Sequence, residues 1–523
     1  MTDPSNDKAT RHTALLRSAT PSVPWYKQPH LLKLNFSVLS LVLLSSAIGY
    51  DSSMTNGLLA LPTWNSFMEY PTGAWLGFIN CIYVIGILVT LPVCPLVANK
   101  YGRKIGIWIG FGFLSLGVGL QAGAQNVPMF ILGRFFLGIN TGWYTTAAPL
   151  LITEVAYPPH RGIASSLYNC GWYAGAVVAA WVTFGTRNDP TSWSWRIPSV
   201  LQAWLPILAL PGFIVCPESP RWLISVNRQS DARAILTSAH AGGDLASPLV
   251  ELEAIEIETA IEKEMADQKS TSYLELFRGK GNRHRLLISV TLGFFTQWTG
   301  GGIVSYYLAI VLQTVGITSV THQTLISACL QIWNLIFASG AAFSVDRLGR
   351  RMLFLASGAI MLVAYVIVTA LSASFAQTGS SAAGLAVIPF LFIYYAGYDL
   401  ALTPLLYSYP CEIWPYSLRS RGLTSAVWVS MLSLTFNIFI NPIALEALKW
   451  KYYIVFIAIL IAMNIVVYFF YPETKGYTLE QVALLFDGEQ AQQVAAALDK
   501  GERGLGLVGA EKEKIDSNTE HVI

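Results

Sequence analysis

Charge is what this chain has least of. Asp, Glu, Lys and Arg make up 12% of its 523 residues, about half the roughly 25% of an ordinary globular domain. A surface facing water needs more, which excludes a soluble enzyme, a disordered regulator and a basic nucleic-acid binder. The net charge of +2 offers no single-sign excess to draw a polyanion. Cysteine is equally thin. Cys81, Cys94, Cys170, Cys216 and Cys329 lie in or beside apolar runs and Cys411 at the end of one, with no CxxC pair or Cys/His cluster among them. Neither a disulfide framework nor a metal site is expected. The chain has no phosphate-binding loop, cofactor box or catalytic triad, so neither a cofactor nor catalysis is expected. The first thirty residues lack a signal peptide's apolar core and cleavage site and read as a retained cytosolic tail.

Hydrophobicity is abundant, at 53% apolar residues and a mean hydropathy of +0.48. A helix crossing about 30 Å of hydrocarbon needs about 20 mainly apolar residues. Such runs fall near 34–60, 74–98, 105–123, 127–151, 163–185, 197–216, 286–312, 323–345, 352–373, 384–409, 422–445 and 451–471. The expected fold is therefore an all-α membrane protein of twelve transmembrane helices. Its expected parts are an N-terminal tail (1–33), a first six-helix half (34–216), a linker (217–285), a second six-helix half (286–471) and a C-terminal tail (472–523). Of the 33 Lys and Arg, 28 fall in the two tails, the linker and the loops on the same side. Positive residues collect in the cytosol, which places both termini there and leaves the Asn35-Phe36-Ser37 sequon unused. In the linker, residues 219–240 and 248–268 carry helical charge patterns and predict short cytosolic helices beneath the bundle.

The halves repeat. Asn99-Lys-Tyr-Gly-Arg-Lys104 returns as Asp346-Arg-Leu-Gly-Arg-Arg351, Glu154 with Arg161 as Glu412 with Arg419, and Pro217-Glu-Ser219 as Pro472-Glu-Thr474. Three motifs in the same order at similar offsets imply two pseudo-symmetric halves of common origin, the organisation of secondary transporters whose site lies between the halves.

These motifs, with Pro217-Glu-Ser-Pro-Arg-Trp-Leu223, Pro472-Glu-Thr-Lys-Gly476, Gly133-Arg134 and Gln297 through Tyr306-Tyr307, resemble the sugar-porter family of the major facilitator superfamily. Gly49-Tyr-Asp-Ser-Ser-Met-Thr-Asn-Gly57, Tyr168-Asn-Cys-Gly-Trp172 and Asn441-Pro-Ile-Ala-Leu-Glu446 resemble its fungal lactose-permease-like and cellodextrin-like branch. The resemblance implies a plasma-membrane solute carrier that works by alternating access and is functional as a monomer.

Asp51 lies well inside the first span and Arg134 inside the fourth. A carboxylate at mid-membrane costs about 2.5–3.5 kcal/mol on insertion scales, so it should face a cavity or a partner, and Arg134 is the natural one. By resemblance the matching pair couples protons; the alternative is a static ion pair joining two helices. The resemblance also nominates Asn169, Gln297, Asn334 and Tyr407 for substrate contact, with Tyr407 standing where many relatives have Trp. Amides suit hydroxylated solutes because each carries both donors and an acceptor. Asp399 matches an acid common in the family and is open to three roles: sugar contact, second titrating group, or part of the cytosolic motif network.

Gly300-Gly301-Gly302 marks a bend or unwinding in the seventh span, since each Gly costs about 1 kcal/mol against Ala in a helix; close helix packing is the alternative. Tyr306 and Tyr307 follow as rings able to close the site. Many relatives have Asn within this glycine stretch, and this chain has none. Arg103, Glu154 and Arg161 against Arg350, Glu412 and Arg419 are expected to bond across the halves and shut the cytosolic side. The reading that unites these residues is sugar–proton symport of a mono- or disaccharide. Alternatives are a same-fold carrier of another polyhydroxylated solute (quinate, a polyol, a glycoside), an uncoupled facilitator and, remotely, a non-transporting sugar sensor.

Overall fold

The computed structural model describes residues 24–245, 247–270, 273–475, 482 and 485–487; most of both expected tails lies outside the described residues. The first half holds α1 (Pro29–Leu58), α2 (Gly73–Thr90), α3 (Val93–Tyr101), α4 (Arg103–Ala122), α5 (Val127–Val155), α6 (Arg161–Thr186), α7 (Trp193–Leu201) and α8 (Trp204–Val215). Between the halves come a single turn at Pro220–Ser225, then α9 (Gln229–His240) and α10 (Pro248–Ser270), where the charge pattern predicts helices. The second half holds α11 (Lys280–Trp298), α12 (Gly301–Thr314), α13 (Val320–Leu348), α14 (Arg350–Thr378), α15 (Ser381–Ile413), α16 (Tyr416–Leu448) and α17 (Tyr453–Phe470).

Among the described residues, nine helical stretches are long and apolar enough to cross a bilayer. One of them, Leu418–Phe470, comprises α16 and α17, because the chain turns back at Lys449 with φ 51°. α5 and α6, with 29 and 26 residues, are also long enough to cross but are more polar. In hydrocarbon every backbone group must find a partner within the protein, which is why the fold is helical throughout its described apolar runs. Most helices outrun the expected spans. α11 begins at Lys280 and α14 ends at Thr378, since polar turns at either end continue the same hydrogen-bond ladder into the headgroup zone.

The repeat has a structural counterpart at the end of the bundle where α1 begins and α17 finishes. Glu218 accepts the backbone N–H groups of Arg103 (3.1 Å) and Lys104 (3.2 Å) at the start of α4. Glu473 accepts those of Arg350 (2.8 Å) and Arg351 (3.0 Å) at the start of α14. Each carboxylate meets the positive end of a helix and two of its orphaned donors. A glycine precedes each start, Gly102 at φ 103° and Gly349 at φ 93°, where a Cβ would sit 2.5 Å and 2.7 Å from the capping carboxylate. The guanidiniums one residue on then bond a second acid. Arg103 Nε and Nη2 reach Glu154 at 2.8 and 3.0 Å, and Arg350 Nε and Nη2 reach Glu412 at 3.1 and 2.9 Å.

Each of these four bonds lies within one half, and none of them joins the halves in this conformation. Both partners of a pair sit on neighbouring helices of one repeat, so the fold itself brings them together. Arg161 also turns elsewhere, to Ala156 O (3.2 Å) and to Glu253 of the linker helix α10 (3.3 Å). Glu253 is buried at 2% exposure and bonds His240 Nδ1 at 2.6 Å, while His240 Nε2 meets Val155 O at 3.1 Å. The linker helices are thus pinned to the ends of α5 and α6.

Partial burial pushes the Glu473 carboxyl up, but backbone N–H groups of Lys475, Arg350, Arg351 and Thr474 outweigh it and hold the carboxyl below its ordinary value. A carboxyl lowered on folding contributes stability that is complete above its unfolded pKa and lost as pH falls through the folded one. Replacing Glu473 by Gln should therefore cost about 1 kcal/mol at neutral pH. In detergent, the melting temperature of Glu473→Gln should lie below the wild type near pH 7, and the gap should close on acidification.

Candidate functional site

The two charges buried in the first half meet. Asp51 on α1 and Arg134 on α5 approach to 3.6 Å with side chains 4% and 3% exposed. The contact is electrostatic and not a hydrogen bond. Arg134 spends its donors on Thr55 Oγ1 (2.6 Å) and Ile79 O (3.2 Å), and its plane lies 5.5 Å from the Tyr83 ring centroid. Both Asp51 carboxylate oxygens are buried with no hydrogen-bond partner among the described residues. The guanidinium is therefore held whether or not Asp51 carries a charge.

Asp399 on α15 lies between the halves. Tyr173 of α6 donates to its Oδ1 at 2.5 Å and Thr403 donates at 2.8 Å, while Oδ2 has no partner among the described residues. Asp399, Thr403 and Tyr407 recur every fourth residue and share one face of α15. Tyr407 is 38% exposed where Asp399 is fully buried. Gln297 Nε2 donates to Ser430 Oγ on α16 at 3.0 Å and meets none of the other nominated residues in a hydrogen bond. Asn334 on α13 is 3% exposed, and its Oδ1 is unpartnered among the described residues. The side chain of Asn169 lies outside the described residues; its backbone is part of α6.

The glycine run breaks the seventh span into α11 and α12. Gly300 takes φ 106°, ψ −2°, a left-handed conformation open to glycine. Around the break a set of tyrosines donates to backbone carbonyls. Tyr365 donates to Gly300 O (2.8 Å), Tyr395 to Gly301 O (3.1 Å) and Tyr398 to Thr296 O (2.8 Å). Farther along, Tyr307 departs from helical geometry (φ −135°, ψ 24°). The freed N–H of Leu308 donates to Asn56 Oδ1 on α1 at 3.0 Å, and the Tyr307 hydroxyl donates to Ile438 O on α16 at 2.7 Å. The Leu308–Asn56 bond and that of Arg187 Nε to Thr321 Oγ1 (3.2 Å) join the halves at the end opposite the Glu–Arg motifs, while the Tyr307 bond stays within the second half.

Sequence reasoning missed Tyr173, Thr403, Asn56, Glu253 and the tyrosines that bond the break, Tyr365, Tyr395 and Tyr398. Thr403 was findable from its spacing of four from Asp399. Tyr173 is 226 residues from the acid it meets, and no spacing rule links them.

A family model described as "Sugar (and other) transporter" matches residues 38–486. The chain is 29% identical to the MFS-type transporter oryC of Aspergillus oryzae, over 88% of this chain and 92% of that one. It is 25% identical to the high-affinity glucose transporter of Kluyveromyces lactis, over 95% and 94%. Its fold matches the inward-open xylose transporter XylE of E. coli with a TM-score of 0.71 at 22% identity, covering 86% of this chain and 99% of that one.

The break predicts a sharp mutational response. A Cβ on Gly300 would lie 2.3 Å from the Tyr365 hydroxyl and 2.5 Å from its ring carbons. Gly300→Ala should abolish recovery of monodisperse protein, and Tyr365→Phe should not rescue it, because the ring remains. Tyr365→Phe alone should fold with a stability loss of about 1–3 kcal/mol, the cost of an orphaned buried acceptor, read as a lower melting temperature in detergent.

Proposed function

The chain belongs to the family of sugar (and other) transporters, and we propose that it carries a mono- or disaccharide across the membrane by alternating access, coupled to protons. It is a multi-pass membrane protein, and its family and fold are those of transporters, not enzymes. The proposed membrane is the plasma membrane, with both termini in the cytosol on the side richest in Lys and Arg. One chain supplies every residue of the candidate site, so the proposed working unit is a monomer whose partners are the solute, protons and lipid.

The observation that carries the reading is the Asp51–Arg134 pair. A lone carboxylate with two unbonded oxygens at mid-membrane is costly unless the charge is used. Here the counter-charge is 3.6 Å away and independently anchored by Thr55 and Ile79 O. Asp51 can therefore take up and release a proton while Thr55 and Ile79 O still hold its neighbour. Thr55 also donates to Asp51 O at 2.9 Å, and the adjacent Asn56 holds Leu308 N at the far end. A change in charge at Asp51 thus sits one helical turn from a contact between the halves, which is the geometry coupling requires. In this reading the proton occupies Asp51, the solute sits among Gln297, Asn334, Asp399, Tyr407 and Asn169, and the Gly300–Gly302 break with Tyr306 and Tyr307 opens and closes the outer side. The pairs Arg103–Glu154 and Arg350–Glu412 stiffen each half and, with Arg161 and Arg419, form the inner gate region.

A second reading, a non-sugar polyhydroxylated cargo, is favoured by one feature: the glycine run carries no amide where many relatives have Asn.

In liposomes with an imposed inward proton gradient, the wild type should accumulate labelled glucose, lactose or cellobiose, and a protonophore should stop it. Asp51→Asn should retain counterflow exchange within about a factor of three of wild type and lose uphill accumulation altogether. Undiminished accumulation by that variant would sink proton coupling through Asp51.

A further inference from the structure

The missing amide has a substitute on another helix. Asn437 of α16 is fully buried, and its Oδ1 lies 2.2 Å from where a Cβ on Gly302 would stand. The asparagine occupies the space that the absent side chain leaves open. Its orientation is set by a relay: the Tyr452 hydroxyl donates to Asn441 Oδ1 at 2.9 Å, and Asn441 Nδ2 donates to Asn437 Oδ1 at 2.9 Å. In this relay the Asn441 oxygen faces the hydroxyl and its Nδ2 faces Asn437. The consequence is that Asn437 Nδ2, with two N–H donors, has no partner among the described residues. Buried amides are nearly always satisfied, and here a relay of two further side chains holds one unsatisfied beside the break in the seventh span. Asn441 is fully buried too and Tyr452 is 3% exposed, so the relay is shielded from bulk solvent.

We propose that Asn437 is a substrate-binding residue whose Nδ2 donates to a hydroxyl or ring oxygen of the bound sugar, supplying from α16 the amide that Gly300–Gly302 lacks. The inference rests on the sugar-transport reading above. It also accounts for the glycine at 302: any side chain there would displace Asn437. Because the donor arrives from a different helix, it would meet a different edge of the sugar, making position 437 a determinant of which sugar is accepted.

The test is a reciprocal exchange in proteoliposomes, with labelled glucose, lactose and cellobiose as probes and an inward proton gradient. Asn437→Ala should raise KM for the transported sugar at least tenfold while kcat changes less than threefold. Gly302→Asn alone should be inactive, because its Cβ meets Asn437. Gly302→Asn combined with Asn437→Ala should recover uptake to at least a third of wild type. Should Asn437→Ala reduce folded yield, Asn437→Ser, which keeps an acceptor for Asn441, takes its place in the same comparison. An unchanged KM in an active, folded Asn437 variant overturns the inference and leaves the transport reading standing, as does a loss confined to kcat or yield. A folded wild type that moves none of the three sugars overturns the sugar reading and this inference with it.

Discussion

Hydrocarbon offers no hydrogen bonds, so every carbonyl, amide and charge brought into the membrane must be met by another part of the chain. Most of the fold answers this with uninterrupted helix. The informative places are those where the helix stops. At Gly300 the ladder ends, and three tyrosine hydroxyls from α14 and α15 bond the carbonyls of Thr296, Gly300 and Gly301 around the break. At Tyr307 the ladder fails again and Asn56 takes the stranded N–H of Leu308. The substitutions differ in kind. The tyrosines lie within the same half as the break and make it a fixed feature, whereas Asn56 belongs to the other half and can only bond while the halves are together at that end. The same constraint that forbids loose polar groups therefore ties one part of the broken span to its own half and the other to α1.

The charged motifs obey a parallel division. Glu218 and Glu473 each cap a helix, and Arg103 and Arg350 each clamp a second acid, in two arrangements that repeat one another. Bidentate guanidinium–carboxylate bonds are among the stronger polar contacts available, and here all of these lie inside one repeat. They join the start of the third or ninth expected span to the end of the fourth or tenth, stiffening each half as a body. Such stiffness is what alternating access by rocking requires of each half. The polar contacts between halves are single bonds such as Asn56 to Leu308 N and Arg187 to Thr321, with Tyr173 to Asp399 near the middle, and beside them α2 packs on α16 and α6 on α13.

Legibility in the sequence followed range. The helical class, the internal repeat and the partnership of Asp51 with Arg134 could be read directly, because a charge inside an apolar run is conspicuous and a membrane leaves few candidate partners. The break at the glycine run was legible for the same local reason. What could not be read is which distant side chain answers a local need. Glu253 looked like one acid of many on an exposed linker helix, yet it is the buried one that pins the linker through His240. Arg103, Glu154, Arg350 and Glu412 were recognisable as gate chemistry, but their pairing within halves depends on the crossing of neighbouring helices, which charge pattern alone does not encode. The tyrosines that serve the glycine break lie about 65 to 102 residues away from it.

The unsatisfied groups complete the physical account. Buried polar atoms without partners occur throughout the described residues, and those at the candidate site are Asp51 Oδ1 and Oδ2, Asp399 Oδ2, Asn334 Oδ1 and Asn437 Nδ2. In a static membrane scaffold each would be a standing penalty of about 1–3 kcal/mol. Their placement on α1, α13, α15 and α16 spans both halves, as a site between the halves requires. A carrier needs such groups, because a solute can compensate for leaving water only by making bonds that the empty protein does not already make. It also needs them to be few and held in place. Asn437 is fixed through Asn441 and Tyr452, Asp399 through Tyr173 and Thr403, and Arg134 beside Asp51 through Thr55 and Ile79 O. At Asn437 and Asp399 the unsatisfied atom belongs to a side chain held by satisfied neighbours, so that the bond left open is open in a defined direction.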